Sequence, residues 1–439
     1  MLWDHLQIIT FTEKIKLLES GRGNKTLKAG IILDNDLSSD NRVLKELEIL
    51  RKNGIKVHVL CFAFGNKQYN DIEGIEITRI KISRRLKDIL FFLVNLVPVY
   101  EFLWMTNTKK FIRKNKPDII HTHDLYMARA VSKGLRSTGG RPALILDLHE
   151  NFPYSIATYN WTKGMLRKTI TKPYKWLRKE PEYLDYADSI VVLSEEYKSG
   201  LTAKYPNLKK KIFCILPNVP DIDMFAKVET NKKLPASVND RINIFYYGVV
   251  AERRGIFDAL NVFAELISEN YNMEFTIIGP VDRKDRNRFF NILNEVQLKG
   301  RISHIPWINH KELYNYLSKS DICIAPFLRN PQHESGVANK VFEYMLGGKP
   351  LLVSDCLPQQ KLIESTKCGL VYKNIPEFKE AMIKLSADPE MRRVLGQNGR
   401  EAIINKYNMG MFQVNLLDLY HKMFRQGKYE YSDTDSFIS

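Results

Sequence analysis

The sequence is poor in cysteine: Cys61, Cys214, Cys323, Cys356 and Cys368 are scattered over 439 residues with no CxxC pair. That spacing excludes a disulfide framework and a zinc ribbon, and predicts reduced, buried thiols of a cytoplasmic protein. No fixed-period repeat or low-complexity tract occurs. The opening MLWDHLQIITFTEKIKLLES carries acids and has no basic region leading to a small-residue cleavage site, so no secretory signal is expected. The apolar stretch Ile89 to Met105 is interrupted by Asn95, Pro98 and Glu101, which argues against a membrane-spanning helix. No GxGxxG follows a strand; after the first one the chain reads NDLSSDNR. The only Walker-like fragment, LGGKP, has the wrong spacing and a proline after Lys349, so neither nicotinamide nor P-loop chemistry is supported.

Acidic residues are the scarcer charge, 50 against 66 Lys and Arg, leaving a net +16. An excess of this size implies an anionic partner: nucleic acid, an acidic membrane face or a phosphorylated small molecule. Basic residues crowd two segments that are also rich in large apolar side chains, Arg84 to Lys116 and Trp161 to Lys179. Both are expected to form helices covering a sheet, with Lys/Arg flanks able to rest on anionic lipid. Their aromatics interleave with apolar helical positions and form no basic stacking surface, so nucleic-acid binding is the distant alternative.

What is present is alternation. Short β-branched runs and amphipathic helical runs follow one another, the pattern of parallel sheets covered on both faces. In the first half the strand candidates are AGIILD, KVHVLCF, IEITRI, DIIHTH, ALILDLH, SIVVLS and FCILPN; in the second, INIFYYG, MEFTIIG, ISHIPW, DICIAPF, PLLVSD and GLVY. NRVLKELEILRKN places Val43, Leu44, Leu47 and Leu50 on one helical stripe that Gly54 ends. The polar KVETNKKLPASVNDR reads as an interdomain connection. The expected fold class is therefore α/β, with two Rossmann-like doubly wound domains. The divisions are an extension (1–28), a first domain (29–226), a connection (227–241), a second domain (242–405), and a returning helix and tail (406–439). Helices from about Met391 have no strands left to cover and are expected to brace the first domain. The site belongs in the interdomain cleft, at the carboxyl ends of the strands.

Several residues carry candidate chemistry. HTHD (His121 to Asp124) and DLHE (Asp147 to Glu150) fall at strand ends, where an HxH with a nearby carboxylate is a competing metal reading. The acids of DND and DID are turn and capping residues by default. In FYYGVVAERRGIFDAL, a strand and a turn lead through Arg253 and Arg254 into a helix; forked guanidinium donors suit a diphosphate. ESGVANKVFEYM begins a helix after small residues, a ready anion site. Within it Glu343 stands among Val341, Phe342, Tyr344, Met345 and Leu346, and a carboxylate so placed needs a partner. Vicinal ribose hydroxyls are one such partner and a nearby basic group is the other.

Taken together, SDNRVLKELEILRKNG, PDIIHTHD, ADSIVVLSEEY, ILPNV, YYGVVAERRG, SDICIAPF and NKVFEYMLGGKPLLVSD make the chain resemble GT-B glycosyltransferases of the retaining family 4 group, from Ala29 to Phe424. The resemblance implies that Arg254 contacts the donor diphosphate, Glu343 the ribose, and His149 the transferred sugar and acceptor, while the amides of Gly336, Val337, Ala338 and Asn339 meet phosphate. The family's first motif glutamate falls on Ser335, with Glu334 one place early, and the basic residue after the family glycine is Val249 here. Without a glycine-rich first loop, Ser38, Ser39 and Asn41, with His123, line the acceptor side. The resemblance implies a nucleotide diphosphate sugar donor, UDP-linked by preference. It implies no metal or other cofactor, and an acceptor that the basic segments suggest is lipid-linked, in surface polysaccharide or glycolipid synthesis. A nucleotide-sugar epimerase or a phosphorylase on the same fold is the alternative.

Overall fold

The computed structural model describes residues 26–65, 72–139, 142–162, 164–220, 222 and 241–435. Nearly all of the 227–241 connection, the first 25 residues, and Asp221 and Asp223 of the DID motif lie outside this set.

Every strand candidate is a strand. The first sheet holds β1 (Lys28–Asp36), β2 (Lys56–Phe64), β3 (Ile75–Ile82), β4 (Ile119–His123), β5 (Ala143–Asp147), β6 (Ser189–Val192) and β7 (Ile212–Ile215). The second holds β8 (Ile242–Tyr247), β9 (Met273–Ile278), β10 (Ile302–Ile305), β11 (Ile322–Ala325), β12 (Leu351–Ser354) and β13 (Gly369–Tyr372). The orders are β3-β2-β1-β4-β5-β6-β7 and β10-β9-β8-β11-β12-β13, and the paired strands run parallel. Central strands such as β4, β6, β11 and β12 are buried along their whole length, which is why they read as apolar runs without alternation. The order reverses beside β1 in one sheet and beside β8 in the other, so each domain opens a crevice at the carboxyl ends of its strands.

The Asn41–Lys52 helix is capped by Asp40, whose carboxylate accepts from the Val43 amide at 3.1 Å, and Gly54 follows at φ +74°. Its buried face is broader than the expected stripe. Leu44 is only half buried, whereas Arg42 and Glu46 are fully covered. In DND, Asp36 caps the turn that follows β1, accepting from the Ser38 amide, and buried Asp34 accepts from the Tyr100 hydroxyl.

Of the final helices, Pro389–Asn405 stays on the second domain, where Gly396 lies against the Gly348 carbonyl and Gly399 against Met345. Met409–Asp435 crosses back. Its Asn415 amide donates to the Ile215 carbonyl at 3.2 Å, and its Tyr420 hydroxyl shares a 2.9 Å hydrogen bond with His121 Nδ1 of the central strand β4. The two basic segments are helical, Arg84–Phe92 with Val99–Asn115, and Met165–Thr171 with Lys175–Asp185. Trp104 and Trp176 anchor them in the core. Among the described residues no helix is long and apolar enough to cross a membrane.

Candidate functional site

The second domain's side of the cleft begins where β8 ends. A single turn, Glu252–Arg254, is closed by Gly255 in the left-handed region, φ +69°. A Cβ there would stand 1.5 Å from the Pro326 carbonyl oxygen, so glycine is required both by conformation and by space. This pins Arg254 against Phe327, with its guanidinium carbon 5.1 Å from the ring centroid. The two arginines are not equivalent. Arg253 donates to Asp282 at 3.0 Å, whereas Arg254 has no ion pair among the described residues. Burial lowers the Arg254 pKa, as expected of a largely covered cation with no anion of its own.

Opposite it lies the segment from Gln332 into the Asn339–Leu346 helix. That helix starts at Ala338 with no side-chain cap. Gly336 meets the first domain, since a Cβ there would be 2.7 Å from Leu193 Cβ. Val337 and Ala338 are half covered and Asn339 is exposed. Ser335 is buried, its hydroxyl donating to the Gln332 carbonyl at 2.7 Å and its carbonyl accepting from Ser194 of the first domain at 3.1 Å. Glu334 does not occupy the place of the absent motif glutamate. Its two oxygens are taken by Arg329 Nε at 2.8 Å and the Leu357 amide at 3.1 Å.

Glu343 has a partner in the His310 imidazole, Nε2 to Oε1 at 2.6 Å. That hydrogen bond raises the His310 pKa. Of the two partners open to Glu343 in the sequence, the basic group is thus present, and it engages one carboxylate oxygen only. Tyr344, next in the helix, accepts from the Tyr247 amide at 2.8 Å and so ties the helix to the end of β8.

On the first domain's side, His149 follows β5 and is one-fifth exposed. Burial opposes its charge, yet Asp147 3.7 Å away, with Asp124, lifts its pKa to about 9. Behind it His123, 1% exposed, shares a 2.9 Å hydrogen bond with His149 Nε2. Burial and the neighbouring histidines hold His123 well below its usual pKa, so cationic His149 donates and His123 Nδ1 accepts. His123 therefore supports His149 from behind and does not line the cleft. Ser38, Ser39 and Asn41 are exposed at the end of β1, with both serine hydroxyls bonded to Asp36. Across the cleft, Asn151 donates to the Pro331 carbonyl at 3.1 Å, and the field of Arg254 reaches Glu150.

Glu46, His121, His123 and Asp147 bring potential ligand atoms within 4.8 Å of one another, fully buried. The cation they enclose is Arg42. It donates to Asp147 through Nε at 3.2 Å and Nη2 at 2.8 Å, and pairs with Glu46 at 3.1 Å. Both carboxylates of the set are thus already matched by a forked guanidinium.

Sequence reasoning missed Phe327, Tyr246, His310 and Lys340. One signal was available for Lys340: a lysine in the first turn of a helix opposes the helix dipole and asks for a reason.

Known proteins share this architecture. Residues 227–402 match the model of "Glycosyl transferases group 1", and residues 41–223 match that of "Glycosyltransferase Family 4". The UDP-Gal:alpha-D-GlcNAc-diphosphoundecaprenol alpha-1,3-galactosyltransferase of Escherichia coli is 22% identical over 88% of this chain and 94% of its own. The alpha-D-kanosaminyltransferase of Streptomyces kanamyceticus is 22% identical over 79% of this chain and 90% of its own. Sucrose-phosphate synthase from Thermosynechococcus elongatus superposes with a TM-score of 0.70 at 18% identity, covering 91% of this chain and all of that one. With the two models together spanning most of its length, the chain belongs to the family 4, group 1 glycosyltransferases of GT-B fold.

Proposed function

We propose that this glycosyltransferase moves a sugar from a nucleotide diphosphate sugar, UDP-linked by preference, to an acceptor hydroxyl with retention and without a metal. The observation that carries the reading is Arg254, a cation held beside Phe327 next to Gly255 with no ion pair among the described residues, near the uncapped start of the Asn339–Leu346 helix. As the bond from the anomeric carbon to the diphosphate oxygen breaks, charge grows on the leaving oxygen. Arg254 and the helix amides are already oriented to meet it. Glu343 keeps one oxygen for ribose hydroxyls beside His310. Cationic His149 offers a donor to the sugar or acceptor from the opposite wall. Closure of the two domains on this arrangement would keep water from competing with the acceptor.

Release of nucleoside diphosphate, measured over a panel of sugar donors in EDTA, checks this. Turnover with one donor is expected; failure with all of them, while magnesium restores activity, would overturn the metal-free reading.

The acceptor we propose is lipid-linked, in surface polysaccharide or glycolipid synthesis, reached from the cytoplasmic membrane face. The Escherichia coli relative, whose name includes a diphosphoundecaprenol acceptor, supports this chemistry. So does the surface of the basic segments. Met165 is 90% exposed, Leu166 75% and Phe102 62%, with Arg84, Arg85, Arg167 and Lys168 also exposed. The two segments form one patch, joined where Asn95 donates to the Thr171 carbonyl at 2.6 Å and accepts from Lys179 at 2.8 Å. Apolar side chains ringed by cations suit an anionic bilayer. In flotation, the protein should rise with phosphatidylglycerol vesicles and not with phosphatidylcholine, and Met165→Glu with Leu166→Glu should abolish the difference. Equal behaviour with both lipids would sink the membrane contact.

A further inference from the structure

Resting on the donor site above, we propose that Lys340 is a second cation of that site, held without a counter-ion until the donor's diphosphate supplies one. Lys340 is 8% exposed, and its Nζ has no hydrogen-bond partner among the described residues. It lies 3.7 Å from the Tyr246 ring centroid and 5.1 Å from that of Phe327, the ring that also carries Arg254. A Cβ on Gly248, the residue after β8, would stand 2.9 Å from Nζ, so the ammonium lies directly under the strand-end loop.

Three costs meet at this one group. Burial disfavours its charge, Arg254 repels it across a shared aromatic ring, and the helix start on which it sits is the positive end of a dipole. Two aromatic faces offset part of this, but a quadrupole is a weak substitute for an anion. A lysine serving only to fill space would be better replaced by methionine, which has the same reach and no charge. A dianion placed between Arg254 and the helix amides turns all three costs into attractions. Arg253, tied to Asp282, is not free to do the same.

Burial, then Arg254, hold the Lys340 pKa well below the usual lysine range, with Glu343 pulling the other way. A bound diphosphate acts in the opposite direction to burial and Arg254, so its binding should be coupled to proton uptake. Among the described residues, the other charged or titratable groups near the site are Arg253, Arg254, Glu343, Tyr246 and His333, with Glu150 and its Tyr159 partner reached by the field of Arg254. His333 donates Nδ1–H to the Leu328 carbonyl at 2.7 Å, and burial pushes its pKa down to about 4, so a His333→Gln variant serves as the control for its share of any proton uptake.

Calorimetric titration of the full chain with inorganic pyrophosphate and with UDP, in buffers of different ionisation enthalpy at pH 8, reads both affinity and protons taken up. The wild type should take up a fraction of a proton with either ligand. Lys340→Met should bind pyrophosphate roughly 10- to 100-fold more weakly and lose the uptake. Lys340→Arg should recover most of the affinity without the uptake, which a merely structural lysine would not produce, and His333→Gln should keep both. Far-UV dichroism reports whether the Met variant is folded; if it is not, the Arg variant's affinity and missing uptake decide. Wild-type affinity and proton uptake in Lys340→Met would overturn the role of Lys340 while leaving the donor site standing. Failure of the wild type to bind pyrophosphate, UDP or any other nucleoside diphosphate would overturn the donor site itself, and Lys340 with it.

Discussion

Arg254→Ala should lower kcat/KM for the donor by roughly 100- to 1,000-fold, about 2.7–4 kcal/mol, the size of effect seen when a preorganised group aimed at developing charge is removed. The reasoning starts at Gly255. Because its carbonyl neighbour Pro326 leaves no room for a side chain, the turn before it has one conformation, and Arg254 meets the ligand without further ordering. The guanidinium has no ion pair among the described residues, so on the proposed reading none of its attraction to the leaving diphosphate would be spent on breaking one. Arg253→Ala provides the contrast. That side chain is held by Asp282, and its loss should cost no more than about tenfold. Arg254→Lys should restore only part of the loss, since an ammonium cannot reproduce the forked contact or the flat stacking on Phe327. Steady-state kinetics with the active donor checks the series. An Arg254→Ala enzyme with wild-type kcat/KM would remove this residue from the site.

The strands were legible because residues buried on both faces of a parallel sheet leave unbroken apolar runs, and these survive even in four-residue elements such as Ser189–Val192 and Ile322–Ala325. The turn that carries Arg254 was legible for a related reason: charges after a strand, followed by a glycine that opens a helix, are a local pattern. The partners of these residues were not. His310 reaches Glu343 from 33 positions away, and Phe327 brings Arg254 of one segment together with His333 and Lys340 of another. Such contacts are products of chain crossing and leave no trace in spacing. Glu334 shows the converse. By sequence it is the natural stand-in for the glutamate missing at Ser335, yet its two oxygens are engaged by Arg329 and the Leu357 amide, partners that the spacing does not show. The helix Asn41–Lys52 was read correctly in extent and incompletely in face. A hydrophobic stripe cannot announce that Arg42 and Glu46 go inside, since it is Asp147 on another element that draws Arg42 in, and Arg42 that pairs with Glu46 there.

That buried cluster should dominate the stability of the first domain, and Arg42→Met should cost about 3–5 kcal/mol at pH 7.5, the penalty for leaving a buried charge without its partner. Among the described residues, Arg42 pairs with both Asp147 and Glu46, and it also donates to the Leu216 carbonyl at 2.9 Å, joining the Asn41–Lys52 helix to the ends of β5 and β7. The loss should depend on pH in a defined direction. Against burial, Arg42 and His149 hold Asp147 well below the ordinary carboxylate range, so its stabilising effect is present above about 3.8 and disappears only as pH falls through its lower folded value. Burial and the neighbouring Asp147 raise Glu46 from 4.5 to about 8 despite Arg42. Its protonated form therefore favours folding fully below 4.5, and that contribution is lost as pH rises through about 8. Removing Arg42 raises both folded-state values, so the variant gains from every proton it can bind. Its deficit should be smallest near pH 5, where the carboxyl groups neutralise one another's repulsion, and largest above pH 8. Denaturant unfolding of wild type and Arg42→Met at pH 5, 7.5 and 8.5 measures this. A deficit that is the same at all three values, or larger at pH 5, would show that Arg42 acts through packing and not through the two acids it holds.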